Sequence, residues 1–224
     1  MDDAALFEVI RQIKWAGPGK LTQVEVDAVN AVLHPAPSRP FDEARFFTIL
    51  RASLGPFDQS QVDGFKTVLA ATFGAPIAYA AYMLATAWHE TAFTMQPVRE
   101  AYWLSEEWRK QNLRYYPWYG RGYVQLTWEA NYIKADAECT AAGMIKAGQL
   151  TADPDVAMRP DVAAFIMRHG MDAGWFTAKK MSDYLPSSGP ATLAQFTSAR
   201  RIINGTDKAE KIAGIAMTMQ GALG

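Results

Sequence analysis

Two glutamates ten residues apart, Glu90 and Glu100, close the ends of the segment HETAFTMQPVRE, His89–Glu100. A pair of carboxylates is enough for general acid and base work, provided that one holds a proton and the other does not. Other chemistries find no support. The chain has three histidines, His34, His89 and His169, and HETAF lacks the second histidine of a zinc-protease helix. YGRGY is flanked by aromatics and does not end as a phosphate-binding loop does, and no Gly-x-Ser-x-Gly elbow is present. Cys139 stands alone, without a motif around it, and reads as an inert small hydrophobe. Carboxylates beside aromatic and amide-rich segments remain, the combination used in glycoside hydrolysis.

The elements around the two glutamates say how they are positioned. APIAYAAYMLATAW, Ala75–Trp88, has Ile77, Ala80, Ala81, Leu84, Ala87 and Trp88 at helical spacing. Tyr79 and Met83 make its other side apolar too, so it reads as a buried helix with Pro76 at its first position. Glu90 then emerges near the C-terminal end of a core helix, where desolvation and the helix dipole both oppose ionisation. A general acid needs such a setting. RYYPWYGRGYVQLTW, Arg114–Trp128, is dense in aromatics and glycine and predicts a loop and short hairpin, with strand alternation over YVQLTW. Its tyrosines and tryptophans either stack on sugar faces or pack the core. Tyr119 is the one assigned to substrate. Beyond Asn131 the pattern is helical, with a capped turn and a helix from about Pro160. An Asn-Gly turn, Asn204–Gly205, follows, and then a final amphipathic helix.

A repeat precedes these elements. LTQVEVDAVNAVL, Leu21–Leu33, aligns without gaps to FDQSQVDGFKTVL, Phe57–Leu69, and LFEVIR, Leu6–Arg11, resembles FFTILR, Phe46–Arg51. Each copy reads as a helix, a Gly/Pro turn and a second helix that opens on a capping signal, Thr22 with Glu25 and Asp58 with Gln61. HPAPSRP, His34–Pro40, cannot continue a helix and divides a 1–40 appendage from a 41–224 domain. The appendage is either a duplicated hairpin packed on the main domain or a small wall-binding module.

Composition narrows the partners. With 22 basic and 23 acidic residues in 224, the net charge of −1 gives no drive toward nucleic acid. One cysteine allows no internal disulfide. Asp2 and Asp3 open the chain where a secretory signal would carry basic residues, and the longest apolar run is too short for a bilayer. These features predict a soluble protein made in the cytoplasm, without stable membrane insertion.

Three segments, AYMLATAWHETAFTMQPVRE, YYPWYGRGYVQLTWEANY and ARRIINGTDKAEKIA, occur in that order. Together they resemble glycoside hydrolase family nineteen, specifically the chitinase-like endolysins of bacteriophages and prophages, over roughly Arg45 to Leu223. The resemblance implies a mainly α (α+β) lysozyme-like fold with two lobes and a small β hairpin at the cleft. It implies Glu90 as general acid and Glu100 as general base. Thr127 helps position the attacking water. Gln125, Asn131 and Asn204 match groove residues that hold sugar or water. Glu106 and Glu107 compete with Glu100 for the base; otherwise they form a solvated face of the helix SEEWRKQN. His89 is a site neighbour or a packing residue, and Arg121 a buried ion-pair partner. The implied reaction is inverting hydrolysis of β-1,4 bonds in peptidoglycan glycan strands, with no metal and no organic cofactor. A phage lysin of this kind acts on the wall after release through a pore made by a separate membrane protein, a holin, without direct contact. Chitin hydrolysis, lytic transglycosylase activity and non-catalytic wall binding are the alternatives.

Because the matched region begins after the proline-rich linker, deletion of Met1 to Pro40 is expected to leave a folded protein. Circular dichroism and a cooperative thermal melt of the truncated chain check this.

Overall fold

The computed structural model describes residues 41–224, of which Glu43–Gly224 form one unit. The first hairpin, its Thr22–Glu25 signal, the linker His34–Pro40 and the 1–40 appendage lie outside the described residues. The second copy of the repeat is a helical hairpin, α1 (Glu43–Leu54) and α2 (Gln59–Ala71). The capping signal at its second helix is present. The Asp58 side chain accepts from the Gln61 amide at 2.8 Å, and the Gln61 side chain accepts from the Asp58 amide at 2.8 Å.

The apolar run forms α3 (Ile77–Glu90), with Pro76 as its N-cap, one position earlier than expected. Every residue from Ala78 to Trp88 is buried, as an all-round apolar helix requires. The hairpin packs on it through rings. Phe65 stacks on Trp88 with centroids 5.5 Å apart, while Phe46, Phe47 and Phe57 each meet Phe65, and Phe47 meets the other two, at edge or tilted angles. Fully burying a side chain of this size contributes about 1.5–3 kcal/mol. Along the chain follow β1 (Val98–Arg99), α4 (Glu106–Asn112), β2 (Arg121–Gly122), α5 (Glu129–Ala141), the short α6 (Gln149–Ala152), α7 (Pro160–Ala173), α8 (Leu193–Ala199) and α9 (Ala209–Leu223). Single 3₁₀ turns sit at Pro154–Met158, Met181–Asp183 and Arg200–Ile202. The described chain is thus mainly α-helical with a two-stranded antiparallel ribbon.

The ribbon differs from the expected hairpin. β2 pairs with β1, Val98 opposite Gly122 and Arg99 opposite Arg121. YVQLTW is a turn closed by the Arg121–Leu126 bridge, not an alternating strand. Gln125 takes φ 57° and Trp128 φ 75°, left-handed values that no strand contains. Tyr123, Val124 and Leu126 are all buried, so the run is apolar through enclosure and not through alternation.

Two hydrophobic clusters share α7. Ala163, Ala164 and Met167 join the cluster around α3, while Val162 and Ile166 join Leu126, Tyr132, Ala135, Cys139 and Leu150 around α5. Burial pushes the Cys139 thiol up to about 12, which agrees with an inert cysteine. α9 lies along α3, and Arg45 of α1 donates to the carbonyls of Gly221 and Ala222 at its end, each at 3.2 Å. Asn204 and Gly205 form the expected turn before α9, with Gly205 at φ 56°. Among the described residues no helix is long and apolar enough to cross a membrane.

The segment from Glu90 to Glu100 is seated by one close approach. A Cβ added at Gly64 of α2 would lie 1.9 Å from the Met95 carbonyl oxygen, so only glycine lets this segment rest on the helix. Gly64→Ala is expected to destabilise the protein by about 1–3 kcal/mol, as overpacking does, read as a lower melting temperature.

Candidate functional site

Glu90 is the last residue of α3 and Thr91 caps the helix. Its carboxylate, 17% exposed, meets Arg200, whose side chain is 1% exposed. Arg200 donates from Nη1 to Glu90 Oε1 at 2.6 Å and from Nε to the Asp207 carbonyl at 2.8 Å. A buried guanidinium needs a counter-charge, and the half-buried Glu90 carboxylate supplies it. Among the described residues nothing donates to Glu90 Oε2, which leaves that oxygen open to a ligand. Asn204 is exposed on the adjoining turn, its amide bonded to the Arg200 carbonyl at 3.0 Å.

Glu100 directly follows β1 and both its oxygens are engaged. The Tyr115 hydroxyl donates to Oε1 at 2.6 Å and the Gly120 amide donates to Oε2 at 2.9 Å. The Glu100 amide in turn donates to the Gly120 carbonyl at 2.7 Å. A Cβ at Gly120 would meet Gln125 Oε1 at 2.5 Å and Glu100 Oε2 at 3.2 Å, so the absence of a side chain there lets the carboxylate and the amide converge. Burial first, and then the Glu100 carboxylate, pushes the Tyr115 hydroxyl up to about 12, so it stays a donor.

The amide and hydroxyl residues form a chain that starts at Gln125, which shares Gly120 with Glu100. Gln125 Nε2 donates to the Val98 carbonyl at 3.2 Å, Thr127 Oγ1 to the Gln125 carbonyl at 2.7 Å, and Asn131 Nδ2 to the Thr127 carbonyl at 2.9 Å. With its proton committed, Thr127 Oγ1 is left as an acceptor, the role that holding a water needs. The Glu90–Arg200 pair and the Glu100–Tyr115–Gly120 cluster share no direct hydrogen bond among the described residues.

Tyr119 is 1% exposed, its ring 3.6 Å from the Arg121 guanidinium carbon and its hydroxyl donating to Glu106 Oε2 at 2.8 Å. The ring expected to meet substrate is enclosed between Arg109 and Arg121. The exposed aromatic of this segment is Trp128, 46% exposed, edge-on to Tyr115 at 4.9 Å with Arg114 over its ring at 5.0 Å. His89 is half-buried beside Phe93, and its Nδ1 has no hydrogen-bond partner among the described residues. Burial holds the imidazole below its ordinary value although the Glu90 charge pulls the other way, so the ring is neutral at neutral pH. Of the two rival glutamates, Glu107 accepts from Gln111 at 2.7 Å on the exposed helix face, whereas Glu106 is drawn into a contact with Arg109.

Arg121 is a buried ion-pair partner, as expected. It donates to Asp155 at 2.7 Å, to the Pro117 and Tyr119 carbonyls and to the Tyr132 hydroxyl. Arg99 reaches the same Asp155 at 2.6 Å. The two strands that carry Glu100 and Gly120 at their ends are thus fastened to one carboxylate. Tyr115, Arg200, Gly120 and Arg109 received no role from the sequence, although each lay in a segment already singled out: Tyr115 and Gly120 in YYPWYGRGYVQLTW, Arg109 in SEEWRKQN and Arg200 in ARRIING. A cleft of about 980 Å³ opens beside β1, lined in part by Gln61, Gln96, Arg99, Glu106 and Asp155, but its walls include neither Glu90 nor Glu100. Convergent polar groups, not cavity size, therefore select the site. Among the described residues no group of three or more His, Cys, Asp or Glu could hold a metal ion. No family model, no curated protein and no solved structure matches the chain.

Burial pushes the Asp155 carboxyl up, but the hydrogen bonds and charges of Arg99 and Arg121 outweigh it and hold the group below its ordinary value. A lowered folded value contributes stability that is full above the unfolded value of about 3.9 and is lost as pH falls through the folded one. The melting-temperature gap between wild type and Asp155→Asn is therefore expected to be constant above about pH 5 and to close in more acidic buffer.

Proposed function

We propose that the protein is a glycoside hydrolase that cuts the β-1,4-linked glycan strands of bacterial peptidoglycan, an endolysin on a lysozyme-like fold. The observation that carries the reading is the contrast between the two carboxylates. Glu100 has both oxygens fixed by donors, Tyr115 and Gly120, which suits a base that must stay ionised and aimed. Glu90 has one oxygen fixed by Arg200 and the other open. In this reading Glu90 takes up a proton on Oε2, against the pull of the Arg200 charge, and delivers it to the glycosidic oxygen. Glu100 takes a proton from a water that Thr127 also holds, and the water attacks the anomeric carbon from the opposite face. The C–O bond to the leaving sugar breaks as the water oxygen bonds the anomeric carbon, and configuration inverts. Inverting enzymes keep their carboxyl groups about 6.5–9.5 Å apart to admit that water, and two separate hydrogen-bond networks are compatible with such spacing. Asn131, Gln125 and Asn204 then line the groove and Trp128 stacks on a sugar face. The ordered motifs HET, GRGYVQLT and IING support the same reading.

Purified peptidoglycan and chitin oligomers are each incubated with wild type, Glu90→Gln and Glu100→Gln. The expected result is release of hydrolysed fragments from peptidoglycan with inverted anomeric configuration by early NMR, and losses of about 10²–10⁴-fold in both variants. Because Glu90 also neutralises buried Arg200, the folded fraction is measured alongside by circular dichroism. Azide, which needs no deprotonation, is expected to restore turnover to Glu100→Gln alone. Anhydro products by mass spectrometry would indicate a transglycosylase, retained configuration would remove the two-carboxylate scheme, and cleavage of chitin only would change the substrate.

A further inference from the structure

The backbone of Glu100 is held as closely as its carboxylate, and by a residue from another element. Arg109 leaves α4, is 5% exposed and reaches back over the preceding turn. Its Nε donates to the Glu100 carbonyl at 2.9 Å and its Nη2 to the Ala101 carbonyl at 2.9 Å. The third arm, Nη1, donates to Glu106 Oε2 at 3.1 Å. That same oxygen takes the Tyr119 hydroxyl at 2.8 Å, and the Tyr119 ring lies 5.5 Å from the Arg109 guanidinium carbon and 3.6 Å from that of Arg121.

Ala101 adopts φ 48°, a left-handed conformation that an L residue other than glycine takes only when its surroundings impose it. The planar fork of an arginine imposes it here, because two successive carbonyls bound to one guanidinium fix the orientation of both peptide planes. A lysine ammonium, a point charge on a flexible stem, cannot hold both in the same way.

We propose that Arg109, aligned by Glu106 and Tyr119, is the positioning residue that fixes Glu100 against Tyr115 and Gly120. Glu106 then belongs to this brace and is not a second base. The inference rests on the reading of Glu100 as the base. Misplacing a catalytic group by about 1 Å costs up to about 10²-fold in rate, so a brace of this kind acts on kcat more than on KM.

The test uses the full chain as wild type, Arg109→Lys, Glu106→Ala and Glu106→Gln, with kcat and KM on peptidoglycan fragments and amide hydrogen exchange over residues 100–104. Arg109→Lys and Glu106→Ala are expected to lower kcat by about 10-fold or more, with KM within about two-fold and faster exchange in that segment. Glu106→Gln keeps an acceptor oxygen for Arg109 and Tyr119 and is expected to recover kcat to within about three-fold of wild type. Should Arg109→Lys fail to fold, the half-exposed Glu106 supplies the deciding pair of variants. Wild-type kcat and exchange in Arg109→Lys or Glu106→Ala would overturn the brace. Glu106→Gln as inactive as Glu106→Ala would overturn it too, since only a proton-transferring carboxylate fails with its shape kept. If wild type cleaves no glycan, the proposed function falls and exchange alone decides: faster exchange in the variants upholds the positioning, and unchanged exchange refutes it.

Discussion

The ion pair between Glu90 and Arg200 fastens the end of α3 to the turn that precedes α9. α3 is enclosed by apolar side chains along its whole length, so the carboxylate at its end leaves the core with little water to solvate it. Arg200 is more deeply buried still and has nowhere else to place its charge. Each group makes the other tolerable, and removing either would strand a charge. The pair is reinforced on both sides: Tyr82 of α3 donates to the Ala199 carbonyl at 2.8 Å, and Arg200 itself takes the Asp207 carbonyl. Through these contacts the turn at Asn204 and the start of α9 are set beside the end of α3. A residue with a chemical assignment is thus also one of the main ties of the fold.

Glu100 is placed by a different kind of force. Among the described residues it makes no ion pair. Its position follows from backbone: an amide given to Gly120, an amide received from Gly120, and carbonyls clamped by Arg109. The ribbon that provides this frame has two residues per strand, too few to persist alone. Asp155, Arg99 and Arg121 hold it down, and the Tyr119 ring lies between Arg121 and Arg109. A short sheet tied by one buried and one half-exposed arginine to a single carboxylate holds Glu100 by its backbone.

The contrast between the two carboxylates is the basis for assigning them different work. One is a member of a charge pair with one oxygen open, and the other accepts two hydrogen bonds from neutral donors.

Periodicity and end signals were enough to find α3, the Asp58 cap, the helix from Pro160 and the Asn-Gly turn, because each depends on residues close together in sequence. Motif order singled out Glu90, Glu100, Thr127, Gln125 and Asn131 as candidates, but of these only Thr127 and Asn131 are joined by side-chain links within four residues along the chain. Tertiary structure decided the rest. YVQLTW carries strand-like residues yet forms a turn, because Gln125 bonds to Val98 and the ribbon partner lies more than twenty residues upstream. Tyr119 looks like a sugar platform in sequence and is a buried wedge, since two arginines close over it. Arg200, Tyr115 and Arg109 gain their roles from neighbours that no local pattern marks: a charge 110 residues away, a carboxylate 15 residues away, and a pair of carbonyls across a turn. Spacing along the chain determines which residue types are available, whereas buried charges and backbone groups take whichever partners folding brings within reach.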